Sequence, residues 1–95
     1  MASYRAERTF SGKTAQEIFE RTRKTIDELA QRYSLNHQPD ASALRGKVGR
    51  MGTEGRYRVE GERLTLDLDY SFLIPGPMRR RIEDEVNQRL DALFA

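Results

Sequence analysis

Between Arg63 and Phe72, Leu64, Leu66, Leu68, Tyr70 and Phe72 alternate with Arg63, Thr65, Asp67, Asp69 and Ser71. A period of two gives a strand one apolar and one polar face. A sheet with one wet face is usually antiparallel and covered on a single side. The turn sequence Ile74-Pro75-Gly76-Pro77 follows, and then a helix is predicted over 77–94 from the stripe Met78, Ile82, Val86, Leu90, Leu93 and Phe94. Pro77 suits the first helical position, where a missing N–H costs nothing. A second helix is predicted over 14–33. Its stripe is Ala15, Ile18, Phe19, Thr22, Ile26, Leu29, Ala30 and Tyr33. Thr14 and Glu17 have capping-box spacing, with Ser11 as a second candidate cap. Glu17 and Glu20 early, with Arg32 late, suit the helix dipole.

The remaining pattern is weaker. Residues 3–10 alternate through Tyr4, Ala6 and Phe10, and Arg8 breaks the set, which suits an edge strand. Residues 34–42, with Pro39 and several Asn, Asp and Ser, read as a loop from which Leu35 packs back on the core. Residues 43–61 hold two strands, with Leu44, Gly46 and Val48 on one face and Tyr57 and Val59 in the other set. Arg50–Gly55 is their hairpin connection, and Gly61-Glu62 is the next turn. Of the glycines at 46, 49, 52 and 55, two are expected at close approaches within strands and two in turns. The expected architecture is one α+β domain over residues 1–95: a single-layer, four-stranded, mostly antiparallel sheet covered on one face by two helices, in the order β-α-β-β-β-α.

Composition narrows the class. Charged residues make up 34% and apolar residues 37%, but the apolar ones are periodic, which argues against disorder. The absence of cysteine excludes disulfides, thiolate metal sites and a thiol nucleophile. No signal peptide and no run near the roughly 20 apolar residues of a membrane span is visible, so a cytoplasmic protein is expected. A net charge of +2 does not argue for nucleic acid. The distribution says more: Arg45, Lys47, Arg50, Arg56 and Arg58 stand against Glu54 alone, and Arg63 stands against Glu60, Glu62, Asp67 and Asp69. Adjacent strands of opposite sign pair favourably across a ladder.

Candidate chemistry is sparse. Ser11-Gly12-Lys13-Thr14 looks like the tail of a phosphate-binding loop, but the full motif needs a glycine where Glu7 stands. It reads instead as a turn and a cap. His37 is the only histidine and is read as solvated in a polar loop near Asp40, with no second imidazole for a metal site. Asp67 and Asp69 share a strand face at a spacing compatible with an acid–base pair, but read as ion-paired, with Arg56, Arg58 and Lys47 as neighbours. Arg79-Arg80-Arg81 opposes the dipole of its own helix, with Glu83, Asp84 and Glu85 one turn later to compensate through i,i+4 pairs. These three arginines, together with Arg56 and Arg58, are the candidate site for an anion or an acidic partner. No catalytic, cofactor-binding or metal-binding residue is assigned.

Gly55-Arg-Tyr-Arg-Val, the strand ending Leu68-Asp-Tyr-Ser-Phe-Leu-Ile74, and the helix from Met78 through Ile82-Glu-Asp-Glu-Val86 to Leu90-Asp-Ala-Leu93 resemble the small polyhydroxyalkanoic acid system proteins of bacteria. Ala15 and Leu29-Ala30 of the first helix fit as well. The likeness runs from residue 5 to 94 by pattern. Ser71 stands where a glycine is expected, and Pro75-Gly76-Pro77 replaces a less rigid turn. The resemblance implies a cytoplasmic protein associated with storage-polyester granules or their synthesis, without established enzymatic activity and with no catalytic residue to carry over. A non-enzymatic accessory protein that meets a granule protein or the polymer synthase is therefore expected. A homodimer is expected from the uncovered sheet face and an open edge near Ser3–Phe10 or Leu44–Arg50. A double-stranded RNA-binding module is one alternative, from the order helix, three strands, helix. A small ligand-binding or enzymatic domain resembling half of a helix-grip fold is the other.

Overall fold

In the computed structural model, which describes residues 2–71 and 74–95, the chain forms β1 (Ala2–Thr9), α1 (Ala15–Tyr33), β2 (Asn36–Asp40), β3 (Arg45–Arg50), β4 (Thr53–Glu60), β5 (Arg63–Tyr70) and α2 (Gly76–Asp91). The sheet is antiparallel throughout, in the order β1-β5-β4-β3-β2. It has five strands where the sequence pattern gives four, because Asn36–Asp40 is a strand and not part of a loop. Its residues carry no alternation, and Pro39 argues against a central strand. As an edge strand it needs backbone partners on one side only, and β3 supplies them from Asn36↔Gly49 to Asp40↔Arg45. The extra strand also removes the order helix, three strands, helix on which the RNA-binding alternative rests.

The register puts Ala6, Leu66, Tyr57 and Gly46 in one row across the sheet's apolar face and Tyr4, Leu68, Gly55 and Val48 in the next, with Leu64 and Val59 on the other side. Ile18, Phe19, Ile26 and Leu29 of α1, with Leu90 near the end of α2 and Leu93 just after it, close the core over it. Leu64, Leu66, Leu68 and Tyr70 are buried, so the alternation fixes the register of β5 correctly. Phe72, the last residue of that alternation, lies outside the described residues.

Helix α1 starts where the capping pattern places it. Thr14 is extended, and its hydroxyl oxygen accepts from the Glu17 N–H at 3.1 Å. Ser34 ends the helix in the left-handed region, and the Leu35 N–H returns to the Ala30 carbonyl at 2.8 Å. Phe10, after β1, packs edge-on against Phe94 with ring centroids 5.1 Å apart. The β3–β4 connection is the tight turn Met51-Gly52, shorter than the expected Arg50–Gly55. Gly52 takes φ +91°, open to glycine at little cost. Gly46, Gly49 and Gly55 all lie within strands, so three of the four spaced glycines serve close approach and one serves a turn. At Gly46 the reason is plain: a Cβ there would collide with the Tyr57 hydroxyl and ring.

Candidate functional site

The open face of the sheet carries the polar half of every strand. Register places Arg5 opposite Asp67, Arg56 opposite Asp67, and Glu54 opposite Asp69. Asp67 accepts from Arg5 Nε at 2.6 Å, and Asp69 from Arg56 Nη2 at 2.5 Å. These carboxylates hold both guanidinium pKa values above their ordinary range, the hydrogen bond being the larger cause. Asp67 and Asp69 are thus ion-paired, each to a different strand. Arg58 pairs along its own strand with Glu60 at 3.2 Å. Thr65, central on this face, is buried beneath the flanking Glu7 and Arg58 positions. Asp40, at the far edge, is held below the usual carboxylate range by the Ser42 hydroxyl and the Ala43 N–H.

Arg79, Arg80 and Arg81 lie elsewhere. They occupy the first turns of α2, at the end of the molecule where β5 finishes and the Met51-Gly52 turn sits. The Ser71 N–H donates to the Gly52 carbonyl at 2.8 Å, which holds the two segments together. Arg79 turns back towards the Ile74 carbonyl at 3.5 Å and is half-buried. Arg80 and Arg81 are exposed and make no ion pair among the described residues, so the expected compensation by Glu83, Asp84 and Glu85 does not form. Glu85 is engaged instead with Arg89 and the Tyr33 hydroxyl. Beside them Met78 is 49% exposed and Met51 is 96% exposed. Met78 therefore leaves the buried stripe to which its spacing assigns it. Arg50, at the end of β3, reaches the Tyr33 carbonyl at 3.1 Å on the same end. Arg56 and Arg58 project from the opposite side of the sheet, so the five candidate arginines form two separate groups.

Sequence reasoning missed a third feature. His37 is not solvated: its side chain is 4% exposed and faces α1 from β2. Nδ1 lies 2.5 Å from an Asp27 carboxylate oxygen, and Nε2 lies 2.6 Å from the Tyr57 hydroxyl. A carboxylate only accepts, so Nδ1 carries a proton; in the neutral ring Nε2 then accepts from Tyr57. Arg23 closes the chain on the outer side, donating to the other oxygen of Asp27 at 2.8 Å. Burial, reinforced by the Asp27 charge, pushes the Tyr57 hydroxyl up to about 12. Asp–His–Tyr chains can move protons, but Tyr57 is only 2% exposed and lies against Gly46 and Phe19. The arrangement ties β2, β4 and α1 together and offers no substrate an approach. The one available signal was the pairing of a lone histidine with a strand tyrosine and a glycine in an adjacent strand.

A surface depression runs along the charged side of α1, between Lys13, Glu20, Arg21, Lys24 and Phe94. Lys13 and Arg21 rest on the Phe94 ring, 5.0 and 5.3 Å from its centroid. It is open to solvent along its length. Among the described residues no three His, Asp or Glu side chains converge as metal ligands, and no helix is long and apolar enough to cross a membrane.

The family model of the polyhydroxyalkanoic acid system proteins matches residues 10–94. No curated protein sequence matches the chain. Among solved structures, a TBP-like protein from Parabacteroides distasonis ATCC 8503 superposes with a TM-score of 0.74 at 9% identity, covering 96% of this chain and 91% of that one. At that identity the likeness concerns the fold alone.

Proposed function

The chain belongs to the polyhydroxyalkanoic acid system family, and from that membership we propose that it is a non-enzymatic accessory protein of storage-polyester metabolism. In this reading it acts in the cytoplasm as a homodimer and docks on a granule protein or on the polymer synthase. The observation that carries the docking site is the end of the molecule where Arg80 and Arg81 stand exposed and unpaired beside the exposed Met78 and Met51. Unpaired cations that oppose their own helix dipole cost stability where they stand, so a use in binding accounts for them. Exposed methionines adapt to varied apolar partners, and the arginines supply attraction for acidic groups. Arg56 and Arg58 are already matched to Asp69, Glu54 and Glu60, which leaves them a smaller part.

The test is retention of the protein by isolated storage granules or synthase. The triple change Arg79→Gln, Arg80→Gln, Arg81→Gln should weaken retention, and wild-type retention should fall as salt rises. Retention unchanged in the triple variant at low salt removes this surface from the reading. If wild-type protein is retained by neither granules nor synthase, the accessory role itself fails.

A further inference from the structure

The sheet has two edges, β1 and β2, and they are not equivalent. β2 is five residues long and contains Pro39, which has no N–H to give a neighbouring strand. β1 has eight residues without proline or glycine and runs in unbroken register against β5 from Ala2↔Tyr70 to Thr9↔Arg63. Its outer side keeps a regular row of backbone donors and acceptors, a template for another strand. Such a row is usually blunted by a bulge, a proline, a covering element or charged side chains; β1 has no bulge or proline, its inward Arg8 is engaged by Asp91 and Asn87, and its outer charges, Arg5 and Glu7, are of opposite sign.

We propose that β1 pairs antiparallel with β1 of a second copy across a two-fold axis at Ala6, which joins two sheets into one continuous sheet. The sequence of the strand selects that register. Residues directly opposed in a ladder share a face, so a self-paired strand can be centred only on a residue. Centring on Arg5 opposes two guanidinium groups, and centring on Glu7 opposes two carboxylates. Centring on Ala6 sets Arg5 opposite Glu7 of the partner subunit twice, on the open face, and Ser3 opposite Thr9 of the partner subunit. Centres nearer either end pair fewer residues. The groups are available: Arg5 holds Asp67 at 2.6 Å yet remains 55% exposed, and Glu7 is 47% exposed with Arg5 of its own strand no nearer than 4.0 Å. The small Ala6 side chain puts only methyl groups on the axis.

This inference rests on the homodimer in the proposed function and assigns its contact, and two readouts separate the two. Sedimentation equilibrium of the full chain at tens of micromolar should give a dimer, and Glu7→Arg should lower the association constant about tenfold or more, through two lost pairs and two repulsions. The chain has no cysteine, so introduced thiols report register directly. Ala6→Cys should form a covalent dimer on mild oxidation, because directly opposed Cα atoms lie about 4.5–5.5 Å apart, within disulfide range. Ser3→Cys and Thr9→Cys should each stay uncrosslinked alone and crosslink when mixed. The mixed pair keeps the test valid should oxidation at the buried Ala6 position be slow. A wild-type dimer without Ser3–Thr9 crosslinking overturns the β1 contact and leaves the dimer standing. A wild-type monomer overturns both.

Discussion

The two helices are similar in length and differ in how they are held. Helix α1 has a side-chain cap at Thr14, a left-handed close at Ser34, and six buried residues from Ile18 to Ala30. It is also bolted to the sheet by the Asp27–His37–Tyr57 chain. Helix α2 begins at Pro75 without a side-chain cap, carries no acid in its first turn, and buries Leu90 alone along its length. Apart from Leu90, and Val86 packed at the core's margin, its attachments are polar: Asn87 donates to the Tyr4 hydroxyl at 2.7 Å, and Arg8 donates to Asp91 at 2.9 Å. The broken alternation at Arg8 is therefore a tether between β1 and α2. The contrast divides the labour. The α1 side secures the fold, and the early turns of α2 contribute little to the buried core.

Core truncation should separate the halves most strongly. Phe19→Ala removes a ring that is fully buried against Tyr57 and should cost about 3–5 kcal/mol. Leu66→Ala, on the central row, should cost about 2–5 kcal/mol. Ile82→Ala on α2, where the side chain is only half-buried, should cost less than either, about 1 kcal/mol. Urea unfolding midpoints decide it. Equal losses at Phe19 and Ile82 would mean that the two helices hold the fold equally.

Next in size is the polar bolt. Tyr57→Phe strands the buried Nε2 of His37 and should cost about 1–3 kcal/mol near neutral pH. The same change has a signature at high pH. Folding holds Tyr57 ionisation above its ordinary value of 10, at about 12. The stability gained by keeping it neutral is intact below about pH 10 and is lost as pH rises towards about 12. The variant lacks that loss, so its stability should fall less steeply over this window and approach the wild-type curve. The Tyr70 hydroxyl, raised by burial and by the facing Glu83, should leave some slope in both proteins. Parallel curves would show that Tyr57 is not held as described.

Caps should give effects near 1 kcal/mol with opposite signs. Thr14→Ala removes an existing cap and should destabilise by about 1 kcal/mol. Pro75→Asp supplies a missing one, since Pro75 already has extended backbone angles, and should stabilise by about 0.5–1 kcal/mol. Thermal unfolding reads both. A destabilised Pro75→Asp would mean that rigidity at Pro75 matters more than the vacant cap.

The same asymmetry explains what the sequence disclosed. Helix α1 was legible because its stripe, cap and dipole charges agree, and β5 because its alternation is unbroken. The family likeness was legible too, through the pattern of the C-terminal half. Strand β2 was hidden: Asn36–Asp40 is polar on both faces and is held by the β3 backbone, a non-local bond with no composition signal. His37 was misread for the same reason, since its burial depends on β2 being a strand and on partners 10 and 20 residues away. Met78 matched helical spacing but lies beyond the reach of the core. The arginines were visible as a conflict with their helix, and the conflict survives in the structure because their compensating pairs are not made.

The smallest effect tests that conflict directly. Arg80→Gln with Arg81→Gln removes two cations from the positive end of α2 and breaks no ion pair among the described residues. Each unfavourable dipole contact costs about 0.3–1 kcal/mol at low salt, at the lower end for exposed groups. A gain of several tenths of a kcal/mol corresponds to a rise in melting temperature of a few degrees for a domain of this size. The gain should shrink as salt is raised, because the charges are exposed and screened. Arg79 is left in place, since its bond to the Ile74 carbonyl would confuse the reading. If the double variant melts lower instead, the arginines support the fold at this end, and their exposure ceases to be an argument for a partner. If it melts higher while retention by granules drops, stability has been given up there for binding.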